Sequence, residues 1–436
     1  MAIEGISVAK SNRPAATKKR SVGSGLIAII LPGFLIAATG VGAGDLATAS
    51  FTGNQLGVAI LWAVLVGAFF KFVLTEGLAR FQLASGATLL EGVAQRYGPV
   101  AGWLFLPYLL AWTFFVGAAL MGACGVTLHA MLPIFDDASR AKIFFGMASS
   151  LIGFALVWVG GFRLFEKIMS VCILFMFVTV IATATLLWPG TDAVLTGMFV
   201  PNLSALKGDG LTWAVALIGG IGGTLTMLCY GYWIREHGRK GLDQIPIMRI
   251  DLGVAYLMTA VFGLAMVIIG STIQIEGRGA GLLVTLADAL QEPLGIWGRW
   301  AFLIGAFGAV FSSLLGVWQS VPYIFADVWR LFIRPSRSVL NEDWTSLELS
   351  STNAYKAYLI AIATLPMIGL FYGFKDIQKY YAVIGALFIP VLAVVLIALN
   401  HNEKLLKNQV NGKWSAIALL LTLSFFAYTA WLKWAI

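Results

Sequence analysis

Eleven separate apolar runs, each near or above the ~20 residues a helix needs to cross a bilayer, constrain this chain more than any other feature. Their limits are roughly 25–50, 55–83, 100–131, 141–161, 166–189, 211–234, 250–275, 299–332, 352–373, 378–400 and 413–435. The third and eighth are long enough to tilt or to project beyond the bilayer. A water-soluble chain of this length would divide into domains with charged surfaces, because a single core stops growing near ~250–300 residues. Only 11% of the 436 residues are charged and 59% are apolar, against ~25% charged in soluble domains. A soluble enzyme and a disordered chain are thereby excluded. A transmembrane barrel is excluded too, since its strands would alternate in short segments. The expected fold is an all-α polytopic membrane protein with eleven transmembrane helices.

The chemistry of the usual enzyme classes is missing. Cys124, Cys172 and Cys229 lie in apolar stretches without CxxC spacing, and His129, His237 and His401 have no metal-ligand spacing, so neither a disulfide framework nor a zinc site follows. There is no phosphate-binding glycine loop and no Ser/His/Asp arrangement. No enzyme activity and no cofactor are expected. The net charge of +8 fits lysines and arginines in cytoplasmic loops better than nucleic-acid binding.

Residues 1–24 form a basic arm with Lys10, Arg13, Lys18, Lys19 and Arg20. The run that follows is too long for a signal-peptide core and reads as the first span of a single transport domain over residues 25–435. With the arm inside, 20 Lys and Arg fall on the inner side and 8 on the outer, and Lys71 within a span completes the 29. This asymmetry predicts a cytoplasmic N-terminus and an external C-terminus in the cell (inner) membrane.

Two spans carry glycine clusters: Thr39-Gly40-Val41-Gly42-Ala43-Gly44-Asp45 in the first, and Gly219-Gly220-Ile221-Gly222-Gly223-Thr224 in the sixth. Each interior glycine weakens a helix by up to ~1 kcal/mol relative to Ala. Such clusters either let helices pack closely or mark unwound backbone lining a cavity. Their placement favours the second reading. Spans one and six correspond if spans 1–5 (25–189) and 6–10 (211–400) are inverted repeats with span 11 (413–435) appended. Interrupted helices in matching positions mark the central site of a transporter.

Asp45 ends the first cluster. A carboxylate within the membrane is costly, so it lines a pathway or pairs, here with Lys71 or Arg80 of the second span. Beside freed carbonyls it makes a cation site, with Gly42 and the backbone near Gly222–Thr224 as further oxygen donors. After the sixth-span cluster come Thr226, Met227 and Cys229. Their sulfur favours transition metals, although Met227 also reads as core filling. Glu76 and Arg80 lie four apart on one helical face and either pair or leave Glu76 on an ion or proton route. Asp327 and Arg330 read as an interfacial pair.

Leu31-Pro32-Gly33-Phe34-Leu35-Ile36-Ala37, the glycine cluster and Leu46-Ala47-Thr48, followed by Leu61-Trp62, Leu78-Ala79-Arg80, Gly86-Ala87-Thr88 and Gln95-Arg96-Tyr97-Gly98, resemble the Nramp family of divalent metal transporters. The resemblance implies a LeuT-type 5+5 inverted repeat plus one helix, with helices 1 and 6 broken. It also implies a manganese- or iron-like cargo moved by alternating access. The departures are specific. The family's first-span motif Asp-Pro-Gly-Asn meets Gly42-Ala43-Gly44-Asp45, and the Met of its sixth-span Met-Pro-His-Asn falls on Met227 or Leu228 with no Pro or His beside it. Its second sixth-span His falls near Arg235. Its third-span acids meet Phe114-Phe115-Val116-Gly117, and its tenth-span Gln has no counterpart in Tyr381–Pro390. This looks like a divergent branch with weak or absent proton coupling. The expected site is Asp45, Gly42, Thr226, Met227 and Cys229, with Glu76 apart from it. The expected partners are the metal cargo and the lipid bilayer. Nothing in the sequence requires more than a monomer. A Mg²⁺-selective carrier and a transporter of amino acids or other small organic solutes stand as alternatives.

Overall fold

The computed structural model describes residues 37, 40–202, 208–273, 279, 281–333, 346–401, 406 and 409–435. The basic arm, the start of the first span and Arg337 lie outside the described residues. Described secondary structure is helical throughout. A π-helical turn, Ala43–Thr48, leads into α1 (Ala49–Leu56). Gly57, with φ +64°, and a 3₁₀ turn Gly57–Ile60 hand the chain to α2 (Leu61–Ser85). There follow α3 (Leu89–Tyr97), α4 (Pro99–Met131), α5 (Ala138–Leu186) and α6 (Thr191–Phe199). The sixth span consists of α7 (Asp209–Gly220), a 3₁₀ turn Leu225–Leu228 and α8 (Cys229–Glu236). The remainder is α9 (Ile245–Ser271), α10 (Leu282–Val328), α11 (Ser346–Ser351), α12 (Asn353–Thr364), α13 (Phe374–Leu399) and α14 (Lys413–Ala435).

Among the described residues, nine helical stretches are long and apolar enough to cross a membrane, or ten if the bent pair Leu174–Leu186 and Thr191–Phe199 is one span. The expected count was eleven. One difference arises at the expected fourth and fifth spans, which run as the single helix α5, so that the fifth counts only through the bent pair; the other arises at the start of the chain. The first expected span is described only in its second half, and its helix runs on into the second as one stretch, Asp45–Ser85. The long third and eighth spans appear as Pro99–Met131 and Gly295–Ile333. At 1.5 Å per residue both exceed the ~30 Å hydrocarbon thickness. The short helix α11 precedes α12, and its Leu349 is buried.

Packing follows the apolar composition. α10 lies against α4 and α5, α9 against α1 and α2, and α13 against α7 and α4, while α14 rests outside on α13 and α2. The helix ends at the expected inner face are capped by their own sequence. Gly86, at φ +77°, closes α2 by donating its N–H to the Gln82 carbonyl at 2.8 Å. Thr88 and Glu91 then form a reciprocal capping box on α3, which satisfies two of the donors a helix start leaves open and places Glu91 near α10.

Candidate functional site

Both glycine clusters interrupt their helices. In the first span the chain turns at Val41–Gly42 before the π-helical segment, with Gly42 N–H donating to the Gly40 carbonyl at 2.9 Å and Leu46 N–H to the Gly42 carbonyl at 2.8 Å. In the sixth, α7 stops at Gly220 and regular structure resumes at Leu225. Gly222 and Gly223 stand at φ +67° and +71°, the left-handed region where a side chain costs roughly 1–2 kcal/mol. The two breaks touch. A Cβ on Gly40 would lie 2.9 Å from both Cα and O of Gly222, so the backbones cross where only glycine fits. A Cβ on Gly42 would press still more closely on the Ser313 side chain of α10.

Asp45 is fully buried. Its Oδ2 accepts the Gly222 N–H at 2.9 Å, so the carboxylate of one break holds a backbone donor of the other. Its Oδ1 has no hydrogen-bond partner among the described residues. Neither of the partners proposed for Asp45 forms an ion pair with it. Arg80 belongs to Glu76, at 3.2 Å. Lys71, also fully buried, sends its ammonium to the carbonyls of Gly219, at 2.8 Å, and Ile221. It remains close enough to Asp45 for their charges to act on each other.

The expected ligands are only partly gathered. Thr226 packs its hydroxyl against Gly223. The 3₁₀ turn that carries Thr226 and Met227 packs mainly on α2, α8 and α10, whereas the turn that carries Asp45 packs on α1, α4, α7, α9, α10 and α13. Met227 and Cys229 are buried. Among the described residues no group of three or more His, Cys, Asp or Glu side chains is spaced to hold a metal. The carbonyls of Gly40, Gly42 and Thr224 each accept one backbone N–H, which leaves each oxygen a second lone pair.

Several contributors were not singled out from sequence. Trp112 of α4 donates its indole N–H to Thr224 Oγ1 at 2.8 Å, tying the sixth-span break to the third span. On α13, buried Tyr381 sets its ring 6.4 Å from that of Trp112. Gln378, three residues earlier on the same face, donates to the Ala119 carbonyl at 3.0 Å and keeps an unpartnered buried Oε1. Thr48 Oγ1 is likewise unpartnered and buried. Gln378 opens the tenth run and lies one turn before the stretch Tyr381–Pro390 in which the family's Gln has no counterpart.

A second polar layer lies apart from the breaks. Glu76 accepts from both Arg80 and Arg249, the latter at 2.9 Å, and Arg80 also donates to the Gln409 carbonyl at 2.6 Å and to Asn411 at 2.8 Å. Asp327 accepts from Arg330 at 2.6 Å and from the Tyr232 hydroxyl at 2.6 Å, while Arg330 and Arg235 converge on Glu91 at 2.9 and 3.5 Å. Asp251 accepts from Tyr230 at 2.8 Å and Arg239 at 3.0 Å. Asp327 and Arg330, read as a simple interfacial pair, are thus the centre of a cross-helix network.

Residues 33–433 match the Nramp family, natural resistance-associated macrophage protein-like. The divalent metal cation transporter MntH of Yersinia enterocolitica is 22% identical over 396 residues, covering 86% of this chain and 94% of that one. Metal transporter Nramp6.2 of Populus trichocarpa is 27% identical over 191 residues, 44% of this chain and only about a third (34%) of the poplar protein. A crystal structure of a mutant manganese transporter of Eremococcus coleocola shares the fold with a TM-score of 0.71 at 16% identity, over 95% of this chain and 88% of that one. The match over nearly the whole sequence and the LeuT-type helical scaffold lead to one conclusion: this chain belongs to the Nramp family, a family of membrane transporters and not of enzymes.

Proposed function

We propose that this protein carries divalent metal cations across the membrane by alternating access, with manganese or a similar ion as cargo. The observation that carries the reading is Asp45, a buried carboxylate at the crossing of two broken helices with one oxygen unpartnered. A divalent ion leaving water needs replacement donors and compensating charge. Asp45 supplies the charge; Thr48 lies on the same turn, α13 with Gln378 packs against that turn, and the break carbonyls add neutral oxygens. Such a set suits Mn²⁺ or Mg²⁺ better than softer ions. Met227 and Cys229 fit as secondary determinants of preference. The names of the relatives point the same way.

Obligatory proton coupling is not part of this reading. The third span presents Trp112 and Thr113 toward its neighbours instead of acids, and Glu76 is held between two arginines. The charge split of the loops supports a cytoplasmic N-terminus and an external C-terminus in the cell (inner) membrane.

Uptake of Mn²⁺, Fe²⁺ and Mg²⁺ by purified protein in liposomes tests the proposal. Wild type should accumulate at least one of these ions over empty liposomes without matching acidification of the lumen. Asp45→Asn should lose uptake about tenfold or more, since each ~1.4 kcal/mol is tenfold in affinity. Uptake of none of the ions, or equal uptake by Asp45→Asn, would sink the reading.

A further inference from the structure

Lys71 is a buried ammonium at the breaks that the cargo reading leaves unused. Its helix, α2, packs against α7, and its whole side chain is buried. A helix end leaves its last four carbonyls without helical donors and carries roughly half a negative charge. At the end of α7 the Leu217 carbonyl is satisfied by the Ile221 N–H at 3.0 Å. The carbonyls of Gly219 and Ile221 are met by the Lys71 ammonium, and Gly219, Gly220 and Ile221 are all buried. In transporters with broken helices, unwound carbonyls and half-helix C-termini are the places that hold a small coupling cation.

We propose that Lys71 is a tethered cation, its ammonium standing permanently where a mobile monovalent cation would otherwise neutralise the C-terminal end of the sixth-span half-helix. An ammonium offers three donors on a compact charge and meets carbonyl oxygens as a bare monovalent ion would. The stem from α2 fixes its position, so its occupancy does not depend on salt. With Asp45 holding the Gly222 N–H of the same break, that break is met by one negative and one positive side chain. The protein therefore needs no added monovalent cation to hold its sixth-span break, and deleting the ammonium creates that need. This inference goes beyond the cargo reading and does not depend on it.

The test is thermal unfolding of the full chain, purified in detergent, in choline, sodium, potassium, ammonium or methylammonium chloride at equal ionic strength. Wild type should melt at the same temperature in all five. Lys71→Ala removes the charge and leaves room for an ion. Lys71→Gln fills the space and keeps a neutral donor, so its deficit should be the same in every salt. Either variant should melt lower than wild type in choline, by about 5 °C or more. At least half of that loss should be recovered, for Lys71→Ala, in ammonium, methylammonium or sodium. Melting unchanged from wild type in choline would overturn the proposal. So would a Lys71→Ala deficit of equal size in every salt, failure of that variant to fold in every salt, or a wild-type protein that itself required a small cation.

Discussion

Lys71 and Asp45 grip opposite polarities of one break. The ammonium takes the carbonyls of Gly219 and Ile221, and the carboxylate takes the N–H of Gly222, the next residue along. The break is therefore held from two different helices by two opposite charges, each fully buried. Buried charges are tolerated when paired and hydrogen-bonded. Here the pairing runs through backbone instead of through a direct ion pair, so one carboxylate oxygen is left available.

Asp45→Asn and Asp45→Ala should separate the two jobs of this side chain. Asparagine keeps an oxygen to accept the Gly222 N–H, so stability should stay near wild type while cation affinity falls. Alanine removes both, and the buried N–H left alone costs about 1–3 kcal/mol. Melting curves beside binding isotherms for a divalent ion check this. Equal stability of the two variants would contradict the structural role.

Gly40→Ala should abolish uptake, because its Cβ would press on the backbone of Gly222 and drive the two breaks apart. Gly86→Ala is the control. Its φ of +77° imposes a backbone cost of roughly 1–2 kcal/mol, but nothing lies within 4 Å of the added carbon. It should lower the melting temperature and leave the transport rate per folded protein unchanged. Similar uptake by both variants would show that the crossing does not matter.

Met227→Ala and Cys229→Ala should change ion preference more than overall uptake if sulfur assists the cargo. Competition of Mn²⁺ uptake by Cd²⁺ is the measurement. Since sulfur favours the softer ion, inhibition by Cd²⁺ should weaken several-fold, on the order of the tenfold that ~1.4 kcal/mol gives. An unchanged Cd²⁺ profile would return Met227 and Cys229 to packing alone.

Asp327→Asn should destabilise the protein through α10. Arg330 loses a buried partner at 2.6 Å but retains Glu91 at 2.9 Å. The loss should fall below the ~3–5 kcal/mol of a buried charge left alone. Adding Glu91→Gln removes the second partner, so the double variant should lose more than the sum of the singles. A strictly additive result by thermal unfolding would mean that the network is not shared.

Cysteine introduced at Lys240, between α8 and α9, should resist an impermeant thiol reagent in intact cells and react after permeabilisation. Cysteine at Asp136, between α4 and α5, should react in both. The reverse pattern would invert the orientation drawn from the loop charges.

Much of this arrangement follows from the sequence alone. Long apolar runs demand helices, because lipid offers backbone groups no other partner. Glycines clustered in two of those runs mark both breaks, with Gly222 and Gly223 adopting the left-handed backbone that glycine accepts most readily. Asp45 stood out because a lone carboxylate in an apolar run needs a reason. The sequence could not tell which partner that carboxylate would find. Lys71 and Arg80 were equal candidates by composition, yet neither forms the ion pair. Arg80 lies against Glu76 one helical turn away, and Lys71 reaches 148 positions along the chain to Gly219. Tertiary structure alone decided this, because helix packing brings α2 beside the end of α7 and turns that end's unpaired carbonyls toward the ammonium. The same packing decided that Trp112 meets Thr224 and that the Met227 turn faces α2 and α10. Contacts between distant spans depend on how helices rotate and cross, which the apolar pattern of each span taken singly does not specify.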